Sequence, residues 1–270
     1  MMGRLKTLLS PPAQDDAWGY DAQFVRAFQP VLDTLYDRWW RVTATGTEHV
    51  PNTTPPTPAL IAANHAGVVP WDGAMITTAI RRHVGRDARS LVLNWAFELP
   101  WASTVIRRSG GVPASPENAR RLLAEDHLVL VFPEGAKGIS KPFSQRYRLE
   151  RFGRGGFVET ALRTGAPIVP VAVVGSEEIH PKIAEAPGLA KLLGMPYLPI
   201  TPTFPLLGPL GAVPLPSRWR IEFCAPVDMS AYGPDAASDR RLVLELSDAI
   251  REQIQAKVYE NLIKREGAFL

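Results

Sequence analysis

Apolar positions recur along this chain in two alternating rhythms, one helical and one of short unbroken runs. Phe24, Phe28, Val31, Leu32, Leu35 and Trp39 recur at three- and four-residue spacing, which predicts an amphipathic helix over residues 21–41. Trp39-Trp40 ends it, with Arg38 and Arg41 on either side. Such a helix either docks on the domain core or lies in a membrane interface with its aromatic end at headgroup level. PNTTPPTP (51–58) then leads into a short apolar strand, ALIAAN (59–64). Helical spacing resumes over 73–84, and SLVLN (90–94) predicts a second buried strand. PENARRLLAED (116–126) predicts a helix with a proline near its start. HLVLVFP (127–133) is almost continuously apolar, as expected of a strand covered on both faces. GFVETALRTG (156–165) predicts a helix closed by Gly165, and APIVPVAVVG (166–175) another buried strand. RWRIEFCAP (218–226) predicts a further strand. Residues 238–264 predict a long C-terminal helix with Leu242, Leu246, Ile250, Ile254 and Val258 along one stripe.

Apolar strands alternating with helices predict an α/β fold: a mostly parallel or mixed central sheet with helices on both faces. No repeat or interdomain linker interrupts the pattern. One α/β domain over 46–270 is expected, with residues 1–45 as an appended N-terminal helical element.

Composition narrows the function classes. Hydrophobic residues make up 46% and charged residues 21%, as in a folded globular protein. A net charge of +3 is too small for a global nucleic-acid field, so nucleic acid is not an expected partner. Cys224 is the only cysteine, which excludes an internal disulfide and suits a reducing compartment. The stretch MMGRLKTLLSPPAQDD is too short for a signal-peptide core, and no run of about 18 apolar residues predicts a transmembrane helix. Any membrane contact is then made from the surface. The expected setting is the cytoplasm or its membrane face, and with a lipid substrate the cytoplasmic face of the cell membrane, peripheral or monotopic. Residues 192–217 carry seven prolines and no charged residue. That segment is either a buried wall of the core or an apolar ligand pocket with a membrane-facing lip, which would take an acyl chain if the ligand is a lipid.

Three constellations carry chemistry. Asn64-His65, followed by Asp72, sits directly after a buried strand, where open α/β sheets place their ligands. A histidine there can take a proton from a hydroxyl while a carboxylate fixes its tautomer. By itself such a pair is weak evidence, and a structural histidine is the default reading. His49, His83, His127 and His180 show no metal-ligand spacing, and no metal is expected. Phe132-Pro133-Glu134-Gly135 is a turn at the end of the next buried strand. The stretch from Lys137 to Arg154 holds Lys137, Lys141, Arg146, Arg148, Arg151 and Arg154 against the single acid Glu150. It is either a solvated basic face or a phosphate-binding one. No serine or cysteine sits in a nucleophile-elbow pattern, which favours direct attack by an activated hydroxyl over a covalent enzyme intermediate.

Asn64-His65 with Asp72, Phe132-Pro133-Glu134-Gly135, and Ile168-Val169-Pro170-Val171 resemble, in order, the sequence blocks of the glycerolipid acyltransferases. These are the lysophospholipid and glycerol-phosphate acyltransferases, and the resemblance spans roughly residues 55 to 230. It implies acyl transfer from acyl-CoA or acyl carrier protein to a lipid hydroxyl, with membrane lipids as partners and no cofactor beyond the thioester co-substrate. His65 looks like the base and Asp72 its orienting partner. Glu134 and Gly135, with Lys137 beyond them, match the block that helps hold the acceptor. Phe152-Gly153-Arg154-Gly155 resembles a downstream step that makes Arg154 a phosphate contact.

Two departures stand out. Six residues separate His65 from Asp72, where the family usually has four. Gly110-Gly111-Val112-Pro113 begins a second block, but Ser115 and Pro116 stand where an Asp-Arg pair is usual. Arg107 or Arg108 would then substitute beside Gly111. The departures keep open a neutral acceptor such as diacylglycerol or a long-chain alcohol, and a noncatalytic lipid-binding protein of the same fold.

Overall fold

A computed structural model describes residues 16–66, 69–99, 102–186, 188, 190 and 198–269. The segment weighed as a signal peptide (1–15), Gly67 of the histidine loop and residues 192–197 of the proline-rich stretch lie outside the described residues.

The near-continuous apolar runs become the inner strands β2 (Ala59–Ala63), β5 (Leu128–Val131) and β6 (Ile168–Val174). Every residue of β2 and β6 is buried, which is why neither run alternates with polar residues. Beyond β5 lie β3 (Ala88–Val92) and β4 (Gly111–Pro113). Beyond β6 lie β9 (Arg220–Phe223) and β1 (Thr43–Thr45). The seven strands are ordered β1-β9-β6-β2-β5-β3-β4. From β6 to β4 all pairs are parallel, whereas β9 runs antiparallel to β6 and carries β1 parallel to itself. The sheet is therefore mixed and mostly parallel. A separate two-stranded ribbon joins β7 (Ala184–Glu185) to β8 (Pro199–Ile200).

Helices cover both faces. On one, α1 (Ala22–Thr34) and α2 (Trp71–Val84) pack through Leu32, Met75, Ile76 and Ile80 onto Ile61, Leu130 and Val171. On the other, α4 (Pro116–Ala124), α6 (Gly156–Thr164) and α7 (Arg240–Lys264) cover Leu60, Val129 and Ala172. Each large side chain buried this way stabilises the fold by about 1.5–3 kcal/mol. The short α3 (Ala102–Arg108) and α5 (Ala136–Ser140), which the periodicity does not predict, sit in the connections.

Helix α1 begins at Asp21, whose carboxylate accepts the Phe24 N–H (2.8 Å), and ends in a widened π turn over Leu35–Trp39. The two tryptophans then part. Trp39 stays exposed, while Trp40 is fully buried and stacks on Trp219 at 4.9 Å. Strand β1 follows at once, so the sheet takes up residues 43–45 from the N-terminal side of the boundary expected at residue 45. The stripe of α7 also differs at its start: Val243 and Ser247 face inward, with Leu242 and Leu246 only half buried. The helix approaches Gly155 so closely that a β-carbon there would lie 2.7 Å from Val243 Cγ1. A small residue at 247 suits that approach. No helix of the described residues is long and apolar enough to cross a membrane.

Candidate active site

Parallel strands β2, β5 and β6 deliver their C-terminal loops to one rim of the sheet, so Asn64-His65, Phe132–Gly135 and Gly175–Glu178 become neighbours. Asn64 ends β2 by imitating backbone. Its Nδ2 donates to Val173 O (3.0 Å) and its Oδ1 accepts the Val173 N–H (2.7 Å), extending the ladder with β6 by one side chain. The main chain is thereby freed to leave the sheet at His65.

His65 Nδ1 lies 2.7 Å from Asp72 Oδ2. Asp72 is fully buried in the first turn of α2, where Oδ2 also accepts the Ala66 N–H (2.9 Å) and Oδ1 the Gly73 N–H (2.8 Å). Six intervening residues thus still return the carboxylate to the imidazole, because the loop closes against the helix start. With its proton on Nδ1, donated to Asp72, the ring keeps a lone pair on Nε2. Phe132 stacks on that ring at 4.1 Å and 20°. Helix α5 backs it: a β-carbon on Gly138 would stand 2.8 Å from both His65 Cβ and His65 O.

Glu134, expected beside the acceptor, is held by the main chain. Its carboxylate is buried, with Oε1 accepting the His65 N–H (2.8 Å) and Oε2 the Glu150 N–H (2.6 Å). Lys141, buried as well, lies 3.3 Å from Glu134 Oε2 and 3.4 Å from Glu177 Oε1, and donates to Arg148 O (2.8 Å). Burial pushes the Glu177 carboxyl up to about 7, with Glu178 adding, against the opposing pull of Lys141 and the Tyr147 N–H. A buried charge network therefore ties the basic loop to the peptide of His65.

The other expected contacts divide. Gly135 precedes α5 at φ 58°, in the left-handed region that favours glycine, and donates its N–H to Phe132 O (2.9 Å). Lys137 and Arg154 are exposed. Arg108 and Gly111, expected beside the acceptor, are corrected. Arg108 enters β4 from the opposite rim and is buried, its Nε and Nη2 donating to Asp21 Oδ2 at 3.0 and 2.8 Å with Phe24 under the guanidinium. A β-carbon at Gly111 would fall 2.4 Å from Ile106 Cγ2, so that glycine serves packing. Ser115, which stands where the family usually has an acidic residue, caps α4 by accepting the Asn118 N–H (3.0 Å). Asn64, Gly138 and the Lys141–Glu177 pair were missed as positioning residues. Only Asn64, adjacent to His65, carried any local signal. No group of three or more His, Cys, Asp or Glu among the described residues is placed to hold a metal ion.

Residues 41–174, which contain His65, Asp72, Glu134 and Gly135, match the family model described as Acyltransferase. An uncharacterized protein of Mycobacterium tuberculosis (strain H37Rv) is 45% identical over 270 residues, covering 99% of this chain and 75% of that protein. The chain belongs to the acyltransferase family. A Mycobacterium leprae relative is likewise 45% identical, across 99% of the acyltransferase and 73% of its own length. Phytyl ester synthase 2 of Arabidopsis thaliana is 40% identical over 70 residues, 26% of this acyltransferase and 10% of that protein. Among solved structures, the 1-acyl-sn-glycerophosphate (LPA) acyltransferase PlsC from Thermotoga maritima superposes with a TM-score of 0.58 at 18% identity, covering 98% of this chain and 89% of that one. At that identity the likeness is one of fold.

Proposed function

We propose that this acyltransferase moves a fatty acyl group from acyl-CoA or acyl carrier protein to the hydroxyl of a glycerolipid, with a lysophospholipid as acceptor and His65 as general base. The observation that carries the reading is the 2.7 Å contact between His65 and the buried Asp72, at the rim where the family's matched residues converge. His65 Nε2 takes the acceptor's hydroxyl proton as its oxygen attacks the thioester carbonyl. Asp72 stabilises the imidazolium that forms. The tetrahedral adduct collapses to the ester by breaking the C–S bond, and the departing thiolate receives the proton. A base so positioned contributes about 10²–10⁴-fold. Exposed Lys137 and Arg154 supply cations for a phosphorylated acceptor.

A neutral alcohol is the second reading. It is favoured by the phytyl ester synthase match and by the engagement of Arg108 with Asp21. The test is acyl transfer to a panel of lysophosphatidic acid, other lysophospholipids, diacylglycerol and a long-chain alcohol. His65→Ala is expected to lose at least a hundredfold in kcat while keeping its fold. Turnover equal to wild type would end the catalytic reading. Arg154→Ala raises KM only for phosphorylated acceptors if the first reading holds.

We also propose that the protein meets the cytoplasmic face of the membrane peripherally. Leu206 and Leu210 are 82% and 73% exposed, with Leu207 and Val213 beside them on an uncharged segment. Exposed Trp39 joins that surface by donating from Nε1 to Pro214 O (3.0 Å). Such a patch suits an acyl-chain interface.

A further inference from the structure

A second concave site opens on the rim that carries His65. Strand β9 runs antiparallel to β6, so its first residue, Arg220, pairs with Val174 at the end of β6, and Thr43 of β1 pairs with Arg220. The loops before β9 and β1 therefore reach the same edge of the sheet as the loop after β2. Here a pocket of about 420 Å³ is lined by Arg41, Arg218, Arg220, Lys264 and Arg265, with Glu266 as the one acid among the described residues that line it.

The pairing of these cations is incomplete. Arg265 Nη2 meets Glu178 (2.7 Å), Arg218 Nη1 meets Glu266 (3.1 Å), and Arg220 Nε donates to the neutral Asn261 Oδ1 (2.9 Å). Arg41 Nη2 donates to Phe269 O (3.0 Å), and Lys264 stands 3.8 Å from Glu260. Arg265 Nη1, Arg218 Nε and Arg41 Nε are buried with no acceptor among the described residues. The Arg265 side chain is only 5% exposed, so water cannot replace that acceptor freely. Buried guanidinium donors without acceptors, in a pocket with one exposed acid, call for a multiply charged anion with several oxygens. Phosphate groups have that geometry.

We infer that this pocket holds the phosphate-bearing end of the acyl donor, a 3′-phosphorylated adenosine diphosphate joined to the thioester through a pantetheine arm. The inference rests on the thioester-donor reading proposed above. Neighbouring strands lie about 4.8 Å apart, so β9 and β1 stand roughly 10 and 15 Å along the sheet from β2. A pantetheine arm bridges such a span, leaving the thioester at His65 and the nucleotide among the arginines. The exposed cations Lys137 and Arg154 stay available to the acceptor.

The test uses the full chain and the double variant Arg218→Gln/Lys264→Gln, whose side chains are 35% and 51% exposed and so spare the core. Binding of 3′-phosphoadenosine 5′-diphosphate is measured by calorimetry. KM is compared for palmitoyl-CoA and for palmitoyl-pantetheine, which lacks the nucleotide. The wild type is expected to bind the nucleotide, and the variant at least tenfold more weakly. KM for palmitoyl-CoA rises by a similar factor, while kcat and the palmitoyl-pantetheine KM hold. Absence of nucleotide binding by the wild type overturns the assignment, as does binding that the variant leaves unchanged. Weaker binding to phosphatidic acid vesicles with nucleotide binding intact also overturns it, in favour of a lipid headgroup. Nucleotide binding that the variant weakens, in a protein that turns over no donor, upholds the pocket and overturns the catalytic reading.

Discussion

Gly138→Ala would push a methyl carbon to within 2.8 Å of His65 Cβ and of its carbonyl oxygen. Neither neighbour can yield without tilting the imidazole away from Asp72. Turnover is expected to fall at least tenfold, with KM changed less and circular dichroism unaltered; a variant with wild-type kcat would remove Gly138 from the positioning set. Glu177 gives a pH signature. Its carboxyl is raised from an ordinary 4.5 to about 7, so between those values the folded protein holds a proton that the unfolded chain releases. Stability from this group therefore falls as pH rises from about 4.5 through 7, and the full penalty is present above 7. Glu177→Gln, which keeps an acceptor for the Tyr147 N–H, should flatten the dependence of Tm on pH in that window. An unchanged slope would contradict the assignment. At this scale the pairing of His65 with Asp72 was legible because a histidine and a lone nearby acid declare themselves in the side chain. The role of Glu134 was not: its partners arrive from positions 65, 141 and 150 and meet only through the order of the strands.

Elements were legible where the pattern ran long. The buried strands and the helices over 71–84, 116–124, 156–164 and 240–264 fall within a few residues of their periodic signals. Strands β1 and β4 and helices α3 and α5 are too short to show a period. Arg108 was misread for the same reason. Without β4 and its direction, nothing in the sequence says that residue 108 approaches the sheet from the far rim. Its pairing gives an element-scale prediction. Arg108→Leu leaves the Asp21 carboxylate buried without its cation at the start of α1, and should destabilise the protein by about 3–5 kcal/mol in chemical denaturation. Adding Asp21→Asn, which still caps the helix, should recover part of that loss. Equal losses in the single and double variants would show that the ion pair is not what anchors α1.

For the molecule as a whole, the alternation of strands and helices predicted the layers but not the reversal at β9. That reversal places the entry of β9 and β1 on the same rim as the histidine loop. The proline-rich segment was legible as apolar and uncharged, and its side chains at 206, 207, 210 and 213 face outward instead of walling the core. Under the proposed membrane contact, Leu206→Asp/Leu210→Asp should lower the fraction sedimenting with phospholipid vesicles several-fold while leaving the melting temperature within a degree or two. Equal sedimentation would remove this segment as the contact. One carboxylate, that of Glu134, grips two main chains at once: the peptide of His65 and the peptide at 150, the far end of the basic loop. Any substitution that refashions this loop for a new acceptor therefore also pulls on the base. Acceptor choice and rate are inherited together here, and drift in one is recorded in the other.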